Sequence, residues 1–382
     1  MPTTHRGRAR VRLKPTILVI ALLALLVVAS GCGSGDSSSS SGSAGGTSAG
    51  LDQAKAVVAK AEKRPTELTV TEPVGKPIPT DKTITFVSCG VEACAVQGPI
   101  LAEGAKLLGW NVEQVATDGS PEKIQGAIDA AIRRGSDAVI LNAADRDAIA
   151  KQLADAKAKD IPVVTCCSVA DAGGGLIFNT ATDKQNGAIG DYMAAQVVAD
   201  GDGKANALYV NIPGFQILDP IGARFERSLK EYCSSCKYES IDVPPAALGK
   251  DAPERIVSFL RAHPDFNYVA LSVSDALGAG LPAALKAAGL SDKVKLVGQG
   301  GNSQTFLDLK NGDFSAVVPG DRYSYDYQML DALARHWAGV PLVQAGPPYW
   351  LMTKDNAPED TSKDFPFVAD YKDQWAKLWG KS

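Results

Sequence analysis

Histidine is almost missing from this chain, with three in 382 residues. His5 stands in a basic leader, His263 precedes Pro264 in a turn, and His336 lies in a helix-patterned stretch. No His-based catalytic triad can be assembled from these. Glycine-rich phosphate loops of the two common kinds are absent, as is a Gly-x-Ser-x-Gly elbow. No cluster of Lys and Arg follows residue 14, which argues against a nucleic-acid partner. Nor does any apolar run reach membrane-spanning length. The longest, 17–28, has about a dozen residues where a helix needs roughly 20. These absences predict a protein that is not an enzyme and uses no cofactor or metal.

What is present starts with that short run. Arg6, Arg8, Arg10, Arg12 and Lys14 precede it, the layout of a secretory signal over 1–31. No twin-Arg pair stands before it, so ordinary unfolded secretion is expected. Val28-Ala29-Ser30-Gly31-Cys32 then resembles the bacterial lipobox, which implies lipidation of Cys32. The five basic residues of 1–31 face no acidic one, so cleavage moves the formal charge from −4 to −9. Residues 33–50 are nearly all Ser, Gly, Ala and Thr. Such a segment cannot bury enough apolar surface to fold, so 32–50 is expected to be a flexible tether. Over 51–80 the pattern predicts a short amphipathic helix (51–63), stopped by Pro65, and an extended lead-in through Pro73, Pro77 and Pro79. The working protein is expected outside the cytoplasm, held to the cell membrane by a lipid.

From residue 80 onward, about 300 residues are too many for one small core, and two lobes are the natural expectation. Short Val/Ile-rich runs at 83–87, 111–116, 138–141, 162–165 and 176–178 alternate with helical periodicity at 99–108, 121–134 and 145–159. The pattern restarts with helices at 183–199, 221–232, 252–261 and 277–288 and strands at 207–210, 238–243, 268–272 and 295–297. Strands and helices in this alternation mean parallel βαβ units, and the fold class is α/β, two doubly wound Rossmann-like lobes. In such sheets ligands bind beyond the carboxyl ends of the strands. That rule selects the loops 88–97, 142–145, 166–170, 211–220, 274–275, 299–304 and 319–323.

The strings 83–88 (TITFVS), 104–110 (GAKLLGW), 137–142 (DAVILN) and 161–165 (IPVVT) resemble ribose/galactose-type, type I periplasmic binding proteins. So do His263-Pro264-Asp265, Ser274-Asp275 with 277–279 (LGA), and 296–298 (LVG). The resemblance spans roughly 82–339. It implies lobes of 81–181 plus 320–346 and 182–319 plus 347–382, joined by a three-crossover hinge near 180–183, 319–320 and 346–348. It further implies a monomeric receptor that captures a small molecule in the interlobe cleft and delivers it to an ABC import permease. A ligand-sensing module for a membrane sensor is the alternative, and an extracytoplasmic thiol or metal protein on the same fold a third.

The chain departs from the family's sugar-site pattern. Cys167-Ser168 stands where the family has Asp-Arg, and Gln299-Gly300 where it has Phe-Asp. The aromatic pair of the first loop is replaced by the Cys89-to-Cys94 segment containing Glu92. A sugar or sugar-like ligand is implied without naming the sugar. The candidate contacts are Glu92, Gln97, Asn142, Cys167, Ser168, Phe215, Asp219, Ser274, Asp275, Gln299, Asn302, Asp321, Arg322 and Tyr323. Several have a structural alternative. Asp275 either meets ligand or caps a helix, Asn142 and Asn302 can serve their own loops, and an Asp321–Arg322 pair can brace the hinge. Trp110 reads as packing, and Trp337, Trp350, Trp375 and Trp379 as core or docking of the C-terminal segment.

Six cysteines remain beyond Cys32, an even number that suggests disulfides in a secreted chain. Cys233 and Cys236 are expected to pair locally; a Cys89–Cys94 staple of the first loop is one option, and pairing beyond Cys233–Cys236 is not deducible from the sequence. Cys166 and Cys167 are adjacent and need either a strained vicinal bridge or other partners. Four thiols on loops at one end of a lobe would suit zinc. Strands one and four are normally separated in such a sheet, so no metal site is expected.

Overall fold

The computed structural model describes residues 44–90 and 92–381. The leader, Cys32 and the tract up to residue 43 lie outside the described residues, as does the side chain of Glu92. Among the described residues ten strands fall into two parallel sheets of five. The first holds β1 (Thr83–Ser88), β2 (Asn111–Ala116), β3 (Ala138–Asn142), β4 (Val163–Cys166) and β5 (Leu176–Asn179), in the order β2-β1-β3-β4-β5. The second holds β6 (Ala207–Asn211), β7 (Tyr238–Asp242), β8 (Tyr268–Leu271), β9 (Lys295–Gln299) and β10 (Phe314–Val318), in the order β10-β9-β8-β6-β7. Both are doubly wound, with the order reversing between β1 and β3 and again between β6 and β8. This is the architecture expected from the alternation.

Burial explains the strand sequences. Every residue of β3 and β8 is buried, and both strands are uninterrupted apolar runs save for Asn142 at the end of β3. Strands covered by helices on both faces need no polar alternation. Edge strands β2 and β7 leave Glu113, Gln114 and Glu239 in solvent.

Two segments outside the sheets pass from the core of one lobe to that of the other. The helix Ala44–Ala61 contributes Ala54 and Ala61 to the core of the second sheet, whereas Leu68, Val70, Val74 and Ile78 belong to that of the first. Near the other end, Phe367 packs with the second sheet and Val368, Tyr371, Trp375 and Trp379 with the first. The lead-in and the C-terminal segment are thus straps across the hinge. They touch each other: the Arg64 side chain donates to the carbonyls of Phe367 (2.8 Å) and Pro366 (3.1 Å), and the Val74 amide donates to the Leu378 carbonyl (2.9 Å).

Three local expectations are corrected. Residues 44–50, read as flexible tether, are helical. A Cβ on Gly50 would strike the Tyr232 backbone, so the helix packs closely at that point. Tertiary contact overrides the weak helix propensity of Gly and Ser. The C-terminal helix Tyr371–Leu378, placed with the second lobe from sequence, packs on the first. Here Trp379 stacks on Tyr327 at 5.6 Å and donates from Nε1 to Asp331 Oδ1 (3.0 Å). The helix expected over 277–288 is two pieces, Ser274–Leu277 and Leu281–Ala287, broken where Gly280 takes φ +77°.

Candidate functional site

The long helix Arg322–Ala338 enters the site from the hinge. Asp321 is its N-cap and accepts from the Ser324 amide (3.1 Å), while Gly339 closes it in the left-handed conformation (φ 64°). It packs in the first lobe against the helix Gln97–Leu108, where Gly104 leaves room for Leu330 and Tyr327. Asp321, Arg322, Tyr323 and Asp326 are thereby carried to the carboxyl ends of the strands.

On the first lobe Gln97, Asn142 and Cys166 form one buried chain. Asn142 Nδ2 donates to Gln97 Oε1 (2.5 Å), and Asn142 Oδ1 accepts from the Cys89 amide (3.1 Å). Gln97 Nε2 lies 3.8 Å from Cys166 Sγ. Asn142 is thus committed to holding the first loop, which the Cys89–Cys94 disulfide also staples. Ser168 is buried, and its Oγ accepts from the Ala170 amide (3.3 Å).

On the second lobe Ser274 and Asp275 open the short helix after β8. The Oγ of Ser274 and Oδ1 of Asp275 are buried with no hydrogen-bond partner. Gln299 ends β9, half-buried. Asn302 caps the helix Ser303–Asn311, its Oδ1 accepting from the Thr305 amide at 3.0 Å. A cavity of about 60 Å³ is lined by Ser274, Asp275, Asn302 and Thr305 among others. A larger groove of about 380 Å³ lies near Glu62, Asp200, Lys295 and Asp355. It opens at the amino ends of β9 and β10, the wrong end of a parallel sheet for a ligand site.

An ion pair joins the two halves. Arg322 Nη1 binds Asp364 Oδ1 at 2.5 Å, and the Tyr323 ring lies 5.1 Å from that of Tyr371. Asp321 and Arg322 therefore do not pair with each other: Asp321 caps its helix and Arg322 reaches to a residue 42 positions away. Burial raises the Asp275 carboxyl above its usual range; its own backbone N–H and then the Arg322 charge oppose that, and Asp364 adds to it. Burial likewise pushes Asp326 well up, reinforced by Cys167, Asp321 and Asp364 and opposed by Arg322. One carboxylate from each lobe thus feels the same Arg322–Asp364 pair.

Asp326 and Asp364 are the residues that sequence reading missed. Both carboxylate oxygens of Asp326 are fully buried and unpartnered. Its position four after Arg322 places both on one helix face, a signal that was available. Asp364 carried none. Phe215, exposed on the loop after β6, and Asp219, exposed at a helix start, have no hydrogen bond, ion pair or ring contact with these groups among the described residues. Among the described residues no cluster of three or more His, Cys, Asp or Glu is arranged for a metal, and no helix is long and apolar enough to cross a membrane.

The family described as periplasmic binding protein domain matches residues 99–340. The ribose import binding protein of Salmonella typhimurium is 25% identical over 217 residues, 56% of this chain and 70% of that protein. Its counterpart in Bacillus subtilis is 26% identical over 216 residues, 56% and 67% of the two chains. Among solved structures, an ABC sugar transporter subunit from Rhodobacter sphaeroides superposes with TM-score 0.61 at 21% identity, covering 72% of this chain and 98% of its own. The 5-methylthioribose transporter solute binding protein from Thermotoga lettingae, in complex with 5-methylthioribose, gives TM-score 0.62 at 21% identity, covering 82% and 100%.

Proposed function

Because the chain belongs to the periplasmic binding protein family, we propose that it is an extracytoplasmic solute receptor, tethered through Cys32, which takes a small hydroxyl-rich molecule between its lobes and hands it to an ABC import permease. One observation carries the ligand class. Ser274 and Asp275 on one lobe and Asp326 on the other hold buried polar atoms with no protein partner. Leaving such groups unmade costs about 1–3 kcal/mol each, and a ligand hydroxyl donating to each carboxylate removes that cost. Arg322, already paired with Asp364, offers its remaining N–H groups to ligand oxygens. A ligand that bonds both lobes is better held when they close, which is the differential contact that drives closure. The names of the ribose- and methylthioribose-binding relatives support a sugar-like solute.

The test is a thermal-shift screen of the chain from residue 44 onward against pentoses, hexoses, 5-methylthioribose, polyols, amino acids and nucleosides. A ligand at a hundredfold excess over its Kd stabilises by about 2.7 kcal/mol, a readily measured rise in Tm. A rise confined to sugars or sugar-like molecules is expected. Silence from them with a rise for amino acids would overturn the ligand class.

A further inference from the structure

Among the described residues four cysteines are bridged, Cys89 to Cys94 and Cys233 to Cys236. The other two, Cys166 and Cys167, are neighbours in sequence, and their Sγ atoms lie 2.8 Å apart. Adjacent residues of a strand send their side chains to opposite faces. These two do not, because Cys167 takes φ +60°. That left-handed conformation costs an L-residue about 1–2 kcal/mol, and it turns the second sulfur back over the first. The turn comes at the end of β4, on the ligand side of the first lobe.

The rest of the loop is fixed at its far end. Asn179 Nδ2 donates to the carbonyls of Ser168 (2.8 Å) and Ala170 (2.7 Å). Cys166 is also tied, through Gln97 and Asn142, to the amide of Cys89 in the stapled first loop. Two sulfurs held this close, on a backbone bent out of its preferred region to bring them there, have the arrangement of a bond about to form.

We propose that Cys166 and Cys167 are joined in the working protein as a vicinal disulfide that pins the 166–170 loop at the ligand end of β4. The inference rests on the extracytoplasmic reading above, since such bonds persist in oxidising compartments. The chemistry is thiol–disulfide exchange with a disulfide donor, protein or small molecule. The more exposed Cys167 thiolate attacks a donor sulfur, forming a mixed disulfide and expelling one donor thiolate. Cys166 then attacks the Cys167 sulfur and expels the second. The donor gains the electron pair and the two protons; the protein loses two hydrogens.

The test is cysteine mapping of the full chain, produced with its own leader in a bacterial host and collected without reductant. The sample is quenched in acid, denatured, alkylated and digested. No label is expected on any of the six cysteines, and the peptide holding 166 and 167 is expected two hydrogens lighter than its dithiol form. Reduction before alkylation should place two labels on it. In Cys167→Ser, Cys166 should become labelled while the other four stay bridged. Labels on both 166 and 167 beside intact Cys89–Cys94 and Cys233–Cys236 bridges overturn this inference alone, as does a crossed pairing with Cys89 or Cys94. Labels on all six overturn the oxidising location and this bond with it.

Discussion

Asp321 sits where the chain passes from β10 into the long hinge helix, and it is buried. Burial pushes its carboxyl up to about 7 from the usual 3.8, against the pull of the Ser324, Phe367 and Tyr323 backbone donors and of the Arg64 charge. The folded chain therefore holds this proton more tightly than the unfolded one. Its contribution to stability falls as pH rises from 3.8 toward 7, and the penalty is complete above that range. Replacing Asp321 by Asn removes the charge and keeps an Oδ1 acceptor for the Ser324 amide. At about 1.4 kcal/mol per unit, a shift of about three units sets a ceiling near 4 kcal/mol. Relaxation and water entry at a hinge reduce this to the order of 2 kcal/mol. The amide also turns a donor toward the Phe367 N–H, now 3.4 Å from Oδ2, losing about 0.5–1.5 kcal/mol. The variant is thus expected to be about 0.5–1.5 kcal/mol more stable than wild type at about pH 8.5, and no more stable, or slightly less, at about pH 5. Urea melts followed by tryptophan fluorescence at both pH values check this, since other titrating groups cancel in the difference. A wild-type-to-variant difference that is the same at both values would refute the reasoning.

Other perturbations separate packing from binding. Asp331 and Arg335 form a buried pair at 2.6 Å, each 3% exposed. Arg335→Met leaves the carboxylate to Trp379 alone and should cost about 3–5 kcal/mol in urea melts. Adding Asp331→Leu should restore much of that, and an unchanged single variant would show the pair to be dispensable. A Cβ at Gly190 would run into the backbone of Ile221 and Phe225 on the next helix. Gly190→Ala should therefore destabilise by about 1–3 kcal/mol, and a silent substitution would mean the helices separate freely. Asp275→Asn removes a carboxylate with an unpartnered oxygen. The Tm without ligand should hold or rise, while affinity for whichever sugar the thermal screen identifies should fall. A drop in the ligand-free Tm with intact affinity would make Asp275 a structural residue.

The alternation of short β-branched runs with helical periodicity is local information, and it was enough to specify two parallel sheets and which loops gather at their carboxyl ends. Strand Ala138–Asn142 could be read because both its faces are covered, so nothing polar interrupts it until the ligand end. The cysteine spacing was likewise sufficient for the Cys233–Cys236 bridge, whereas the Cys89–Cys94 bridge was decided only by the folded chain. Other features depended on partners distant in sequence. Residues 44–50 look unfoldable alone, yet they are helical, with Gly50 packed against the backbone of Tyr232. Trp375 and Trp379 advertise a buried helix, but which lobe buries it is decided by Tyr327 and Asp331. Asn142 and Asn302 looked alike as loop residues, yet both spend their side chains on backbone or neighbouring groups. Asp275 and Asp326 keep oxygens unmatched. Whether a carboxylate is satisfied depends on what surrounds it after the chain has closed, because desolvation comes from segments far away in sequence and the compensating donor is present or absent in space. Residue type and spacing told where a site belongs. Only the folded molecule decided which of its polar atoms are left for a ligand.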